Sequence, residues 1–84
     1  MTRRSKDEIL TQILEACDRE GMIKTRIIYV CNINFKEVNL YLERMVHAGL
    51  MEVKENTYRT TKKGVEALGY FRAFRALVGP EIFK

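Results

Sequence analysis

Between Asn34 and His47 the chain sets out amides, cations and one aliphatic group at spacings that suit the edge of a nucleobase. The amide of Asn39 carries the donor and acceptor that match adenine, and Lys36 and Arg44 supply cations suited to guanine or phosphate oxygen. Leu40 lies among them and either meets a thymine methyl or sits against the preceding helix. Just upstream, Lys24, Thr25 and Arg26 group two cations and a hydroxyl at a helix start, where N–H donors point outward toward phosphate. Lys54 and Arg59 flank a polar turn further on, with Lys62 and Lys63 behind them. The chemistry assembled is hydrogen bonding and charge pairing. Reaction chemistry lacks its parts: there is one histidine, no glycine-rich phosphate loop and no paired acid–base constellation, so an enzyme is the weakest reading. No cofactor is implied. Cys17 and Cys31 form no CxxC pair and have too few partners for a zinc site, so both read as reduced core thiols and no metal is expected.

The elements that must position these groups follow from apolar spacing. Thr25 is a good N-cap, with Ile27, Ile28 and Cys31 recurring at helical intervals behind it. That helix should stop at Asn32, which tolerates the left-handed conformation. Asn34 restarts the chain with Glu37 three residues on, an Asx capping box. Phe35, Val38, Leu42 and Met45 then form one buried stripe, and Gly49 ends the helix. Two helices joined by so short a turn cross steeply, which is helix-turn-helix geometry. Burying the stripe leaves Lys36, Glu37, Asn39, Leu40, Glu43, Arg44 and His47 outside. Glu37 either caps its own helix or accepts from a cytosine amine. Glu43 repels phosphate, which limits groove entry to the first two turns. His47 reads as a surface or helix-capping residue beside Gly49.

Around this pair, Ser5 and Glu8 make a capping box for a first helix that runs to Glu20. Its buried face is Ile9, Leu10, Ile13, Leu14 and Cys17, its outer face is Thr11, Gln12, Glu15, Asp18 and Arg19, and Gly21 stops it. Residues 22–24 read as an extended link. After Gly49, residues 50–53 and 57–60 read as two short strands around a turn at 54–56. A hairpin appended to three helices is the wing of a winged helix. Thr61 caps a final helix that continues to Val78, in which Val65 and Leu68 close the core and Gly64 is tolerated in the first turn. Tyr70, Phe71, Phe74, Leu77 and Val78 then crowd a helix with little domain left to cover, which implies a partner surface. Gly79-Pro80 ends the helix, and Ile82 and Phe83 of the tail can fold back onto the same patch.

The chain has 84 residues, 46% hydrophobic and 31% charged, with a net charge of +4 and a pI near 9.3. That is a folded composition with room for one core. The basic balance favours a polyanionic partner, though interleaved acids confine any effect to one face. Arg3 and Arg4 are a solvated terminus or a basic arm on phosphate. No leader or membrane-spanning run is expected, which points to an intracellular, cytoplasmic protein with no membrane partner.

In this order and spacing the residues resemble the small archaeal winged-helix proteins that include DNA-binding regulators and nucleoid-associated proteins. The matching residues begin with Arg4-Ser5-Lys6, Ile9 and Ile13-Leu14-Glu15-Ala16, then Gly21, Lys24-Thr25 and Tyr29. They continue through Asn32-Ile33-Asn34-Phe35, Tyr41-Leu42 and Gly49-Leu50-Met51-Glu52 to Tyr58-Arg59-Thr60-Thr61 and Lys63-Gly64. The turn carries Asn34 where relatives usually have serine; both cap well. The resemblance implies a mostly helical α+β fold: three helices, a β-hairpin wing and a C-terminal helix. It implies duplex DNA bound by a homodimer, with helix 34–48 in the major groove and wing 50–60 on the backbone. Residues 5–61 would be the DNA-binding domain and 62–84 the dimerising helix and tail. Some relatives extend the last helix into a long coiled coil, which Gly79-Pro80 cuts short here. An architectural protein with little sequence preference, or a winged helix used for protein docking, are the alternatives.

Overall fold

The computed structural model describes residues 5–79. Its elements are α1 (Lys6–Arg19), β1 (Met22–Ile23), α2 (Lys24–Cys31), α3 (Phe35–His47), β2 (Met51–Lys54), β3 (Thr57–Thr60) and α4 (Lys62–Val78). The expectations for Arg3, Arg4, Pro80, Ile82 and Phe83 lie outside the described residues.

The caps mark most helix starts. The Glu8 N–H donates to Ser5 Oγ, the Glu37 N–H to Asn34 Oδ1 and the Gly64 N–H to Thr61 Oγ1. The α2 start differs from expectation. Lys24 is already helical, the cap position is Ile23, and Thr25 sits inside the first turn. The reason is β1: Met22 and Ile23 pair with β3, and the backbone turns from the sheet into the helix two residues earlier than a threonine cap would require. What read as a link is therefore a third strand, and the sheet order is β1-β3-β2, antiparallel throughout.

Gly21 also acts differently from a helix stop. Helix α1 ends at Glu20, whose backbone is extended. A Cβ on Gly21 would lie 2.5 Å from Thr57 Cγ2, so the glycine admits β3 against the chain. Gly49 is the stop it was read to be, with φ +81°. The Leu50 N–H reaches Met45 O and the Gly49 N–H reaches Val46 O, the pair of bonds of a Schellman motif.

The first strand of the hairpin is displaced by one residue, to Met51–Lys54, and Lys54 pairs with Thr57. The turn is thus only Glu55 and Asn56, at φ 52° and 64°. Two left-handed residues make the tight turn whose twist matches its strands.

The core gathers one stripe from each helix: Ile13 and Cys17 of α1, Ile27 and Cys31 of α2, Val38, Leu42 and Met45 of α3, and Leu68 of α4. Met22 and Met51 bring in the sheet. Three side chains depart from the expected pattern. Thr11 is buried, its hydroxyl donating to Asp7 O at 2.6 Å, a bond that removes the penalty of hiding it. Val65 is exposed, because Gly64 is the residue turned inward, toward Leu50 O and Thr60. Phe35 is 59% exposed. It stands on the margin of the α3 stripe, in the first turn, where no further turn of helix covers it.

Candidate nucleic-acid interface

The α2–α3 junction is held from both sides. Asn32 is left-handed at φ 54° and its N–H returns to Ile28 O. Ile33 is buried, which pins the turn to the core, and Asn34 caps α3 at 2.7 Å. Its side-chain oxygen is thereby engaged in holding α3, while the residue itself remains exposed.

Each residue of α3 advances about 100°, so the buried stripe fixes the order of the rest. Lys36, Leu40, Glu43 and His47 point away from the core, and Arg44 and Glu37 flank them on one side. Phe35 and Asn39 flank them on the other. Leu40, Glu43, Arg44 and His47 together line one shallow hollow. Asn39 is half-buried and lines a second one, of about 340 Å³, with Lys24, Glu43, Val46, Val53 and Tyr58. Lys24 reaches it from the start of α2, its Nζ 5.6 Å from the centroid of the Phe35 ring.

The sequence-derived candidates therefore fall into separate places. Lys24 and Asn39 meet in the hollow between α3 and the hairpin; Lys36, Leu40 and Arg44 line the outer side of α3. Thr25 is exposed on α2. Arg26 turns the other way, into a groove against α1 that also holds Glu15, Arg19 and Glu20. In the hairpin the register puts Lys54 and Arg59 on one face with Glu52, while Val53 and Tyr58 occupy the face toward α3. Lys63 is committed elsewhere: its ammonium donates to Ala48 O at 2.8 Å and closes the end of α3. Val46, Val53 and Tyr58 line the hollow between α3 and the hairpin without having been expected as site residues, and Phe35 stands exposed at the start of α3.

The α4 candidates divide as well. Tyr70, Phe74 and Leu77 make one exposed stripe, 77%, 53% and 86% accessible. Phe71 and Val78 are half-buried, and Phe71 lines a hollow together with Leu10, Leu14, Leu50 and Leu68.

Burial pushes the Cys17 thiol up to about 12, and nearby Cys31 adds to it, so the sulfur stays protonated at neutral pH and offers no nucleophile. Among the described residues no group of three His, Cys, Asp or Glu side chains is placed to hold a metal, and no helix is long and apolar enough to cross a membrane.

A short helix pair locked by Asn32 and Asn34, with a hairpin beside the second helix, is a winged helix-turn-helix, and residues 3–78 match that family. The chain belongs to the winged helix-turn-helix family. Membership of that family points to DNA binding. An uncharacterized protein of the archaeon Methanocaldococcus jannaschii is 26% identical over 62 residues, which are 74% of this chain and 64% of the relative. The match thus spans a little under two thirds of that relative's length.

Proposed function

We propose that this winged helix-turn-helix is a transcriptional regulator that binds duplex DNA as a homodimer. Helix α3 enters the major groove and the hairpin runs along the backbone. The observation that carries the reading is the outward face of α3. Lys36, Leu40 and Arg44 stand there with Asn39 at its edge, on a helix whose start is fixed by the Asn34 cap. The first turns of such a helix lie nearest the base edges. Lys24, Thr25, Lys54 and Arg59 supply phosphate contacts at the flanks; Arg26 would need to swing out of the α1 groove to join them. The exposed stripe of Tyr70, Phe74 and Leu77 joins two copies, which doubles a site whose mixed charge makes one copy a weak binder.

Binding affinity measured across a salt series tests this. Each phosphate contact adds about 0.9 to the slope of log K against log salt, so several contacts give a steep fall. A slope near zero overturns the reading. Replacing Lys36, Asn39 and Arg44 together with alanine should abolish binding while the dimer stays intact; unchanged binding refutes the α3 face. Phe74→Glu should reduce the mass in light scattering, because it places a charge in the shared apolar stripe. An unchanged mass removes that stripe from the interface.

One observation favours a second reading, docking onto another protein. Tyr29 on α2 is 88% exposed, and Glu37 and Glu43 share the α3 surface with the cations. A salt-independent interaction that needs Tyr29 and survives the triple alanine change would support docking.

A further inference from the structure

Helix α3 opens on an aromatic ring that the core does not take. Phe35 is its first residue, directly after the Asn34 cap, and 59% of its surface is open. A single exposed hydrophobic residue is ordinary on any protein. Phe35 is distinguished by its surroundings. Lys24 reaches across from α2 and holds its ammonium 5.6 Å from the ring centroid, within the range of a cation–π contact. One turn further along α3 lies Asn39, in the hollow that Lys24 also lines. The ring therefore sits between a cation and an amide at the end of α3 closest to the bases in a docked helix-turn-helix. Lys24 covers part of it, and the larger share of the residue stays open to solvent.

We infer that Phe35 is a specificity-determining residue whose exposed ring edge packs on the 5-methyl group of a thymine in the major groove. The inference rests on the DNA-binding reading above and names the base feature that this site prefers. The thymine methyl is the one apolar group that the major-groove edge presents, and phenylalanine is among the side chains that meet it. Lys24, held over the ring, would take the adjacent phosphate, so ring and cation divide the nucleotide between them. Asn39, next along the helix, is placed for an adjacent adenine, which makes an A·T-containing step the preferred target of this end of α3.

The test compares one alternating A·T duplex with the same duplex in which uracil replaces every thymine, which removes only the methyl groups. Affinities are measured for the wild-type chain, Phe35→Ala and Phe35→Leu, with helicity checked by circular dichroism. A buried methyl contributes about fourfold to affinity, so the wild-type chain should prefer the thymine duplex by at least about that factor. Phe35→Ala should lose the preference, and Phe35→Leu, which presents no ring edge, should lose most of it. If the wild-type chain binds both duplexes equally, the inference fails. It also fails if Phe35→Ala weakens both by one factor and leaves the preference standing, because the ring then only supports Lys24 or touches sugar. Failure to bind either duplex at low salt overturns the DNA-binding reading itself, and the inference with it. If Phe35→Ala loses helicity, Phe35→Leu decides alone: a folded Leu variant with no methyl preference where the wild-type chain has one supports the aromatic contact, and a Leu variant that matches wild type in every respect limits the contact to generic apolar bulk and overturns the role of the ring.

Discussion

Helices α3 and α4 each bury one stripe and show another, yet they do so in opposite ways. Helix α3 is anchored along its length, with Val38, Leu42 and Met45 all buried, and what it shows is charged or amide-bearing apart from Leu40 and Phe35. Helix α4 is anchored in its first half, through Gly64 and Leu68, and what its second half shows is largely apolar. Beyond Leu68 its contacts with the domain include half-buried Phe71 and an exposed Arg72–Glu15 pair at 3.6 Å. An exposed pair of that kind contributes at most about 1 kcal/mol. On the proposed reading this difference in packing suits two uses: α3 is held from behind so that its polar groups keep fixed positions, and the apolar stripe of α4 is what a second copy would cover.

The widest expected contrast is between two leucines. Leu42→Ala, at a site 1% exposed, should destabilise by about 2–5 kcal/mol through lost burial and a cavity. Leu77→Ala, at a site 86% exposed, should stay within about 0.5 kcal/mol in the monomer. Urea melts measure both. A loss at Leu77 that grows with protein concentration would show the α4 stripe covered by a second copy, and a large loss independent of concentration would break the comparison.

Next in size is the contact that joins the two helices. The Gly49 and Leu50 carbonyls accept from Thr61, and a Cβ on Gly64 would fall 2.2 Å from Leu50 O. Backbone cannot yield as a flexible side chain does, so Gly64→Ala should destabilise by about 1–3 kcal/mol by forcing α4 away from the end of α3. Asn34→Ala, which leaves the Glu37 N–H without its partner, should lose about 1 kcal/mol. If Gly64→Ala is the milder of the two, α4 is free to slide and its hold on α3 is weaker than the contacts indicate.

The winged helix-turn-helix was legible wherever a residue acts on its own neighbours. Ser5, Asn34 and Thr61 cap as their types and spacing require, Asn32 takes the left-handed turn, and Gly49 closes α3. Legibility ended where a residue acts across the fold. Gly21 read as a helix stop because glycine so often is one, but its lack of a side chain is needed by Thr57, far along the chain. Met22 and Ile23 are too short a run to announce a strand, and only β3 makes them one. Phe35 read as core because it keeps helical step with Val38 and Leu42. Periodicity gives the direction of a side chain and not whether anything stands there to cover it. For the candidate site the residues of α3 were legible as a surface. That Arg26 turns toward α1, and that Lys24 crosses to Phe35, depends on the relative placement of three elements.

The smallest effect bears on α4 alone. Gly69 lies mid-helix, and a Cβ built there meets nothing within 4 Å. Glycine there lowers helix stability relative to alanine by about 0.5–1 kcal/mol, since it gives up more backbone freedom on folding. Gly69→Ala should therefore stabilise by that amount and raise Tm by a few degrees, about 4–8 °C for each kcal/mol in a domain of this size. Helix α3 contains no glycine and so offers no equivalent change. If Gly69→Ala stabilises the dilute monomer but weakens self-association at higher concentration, the open space at Gly69 is where the backbone of a second copy approaches. If it does neither, the second half of α4 is already fully helical through contacts with the domain, and the contrast with α3 is one of surface chemistry only.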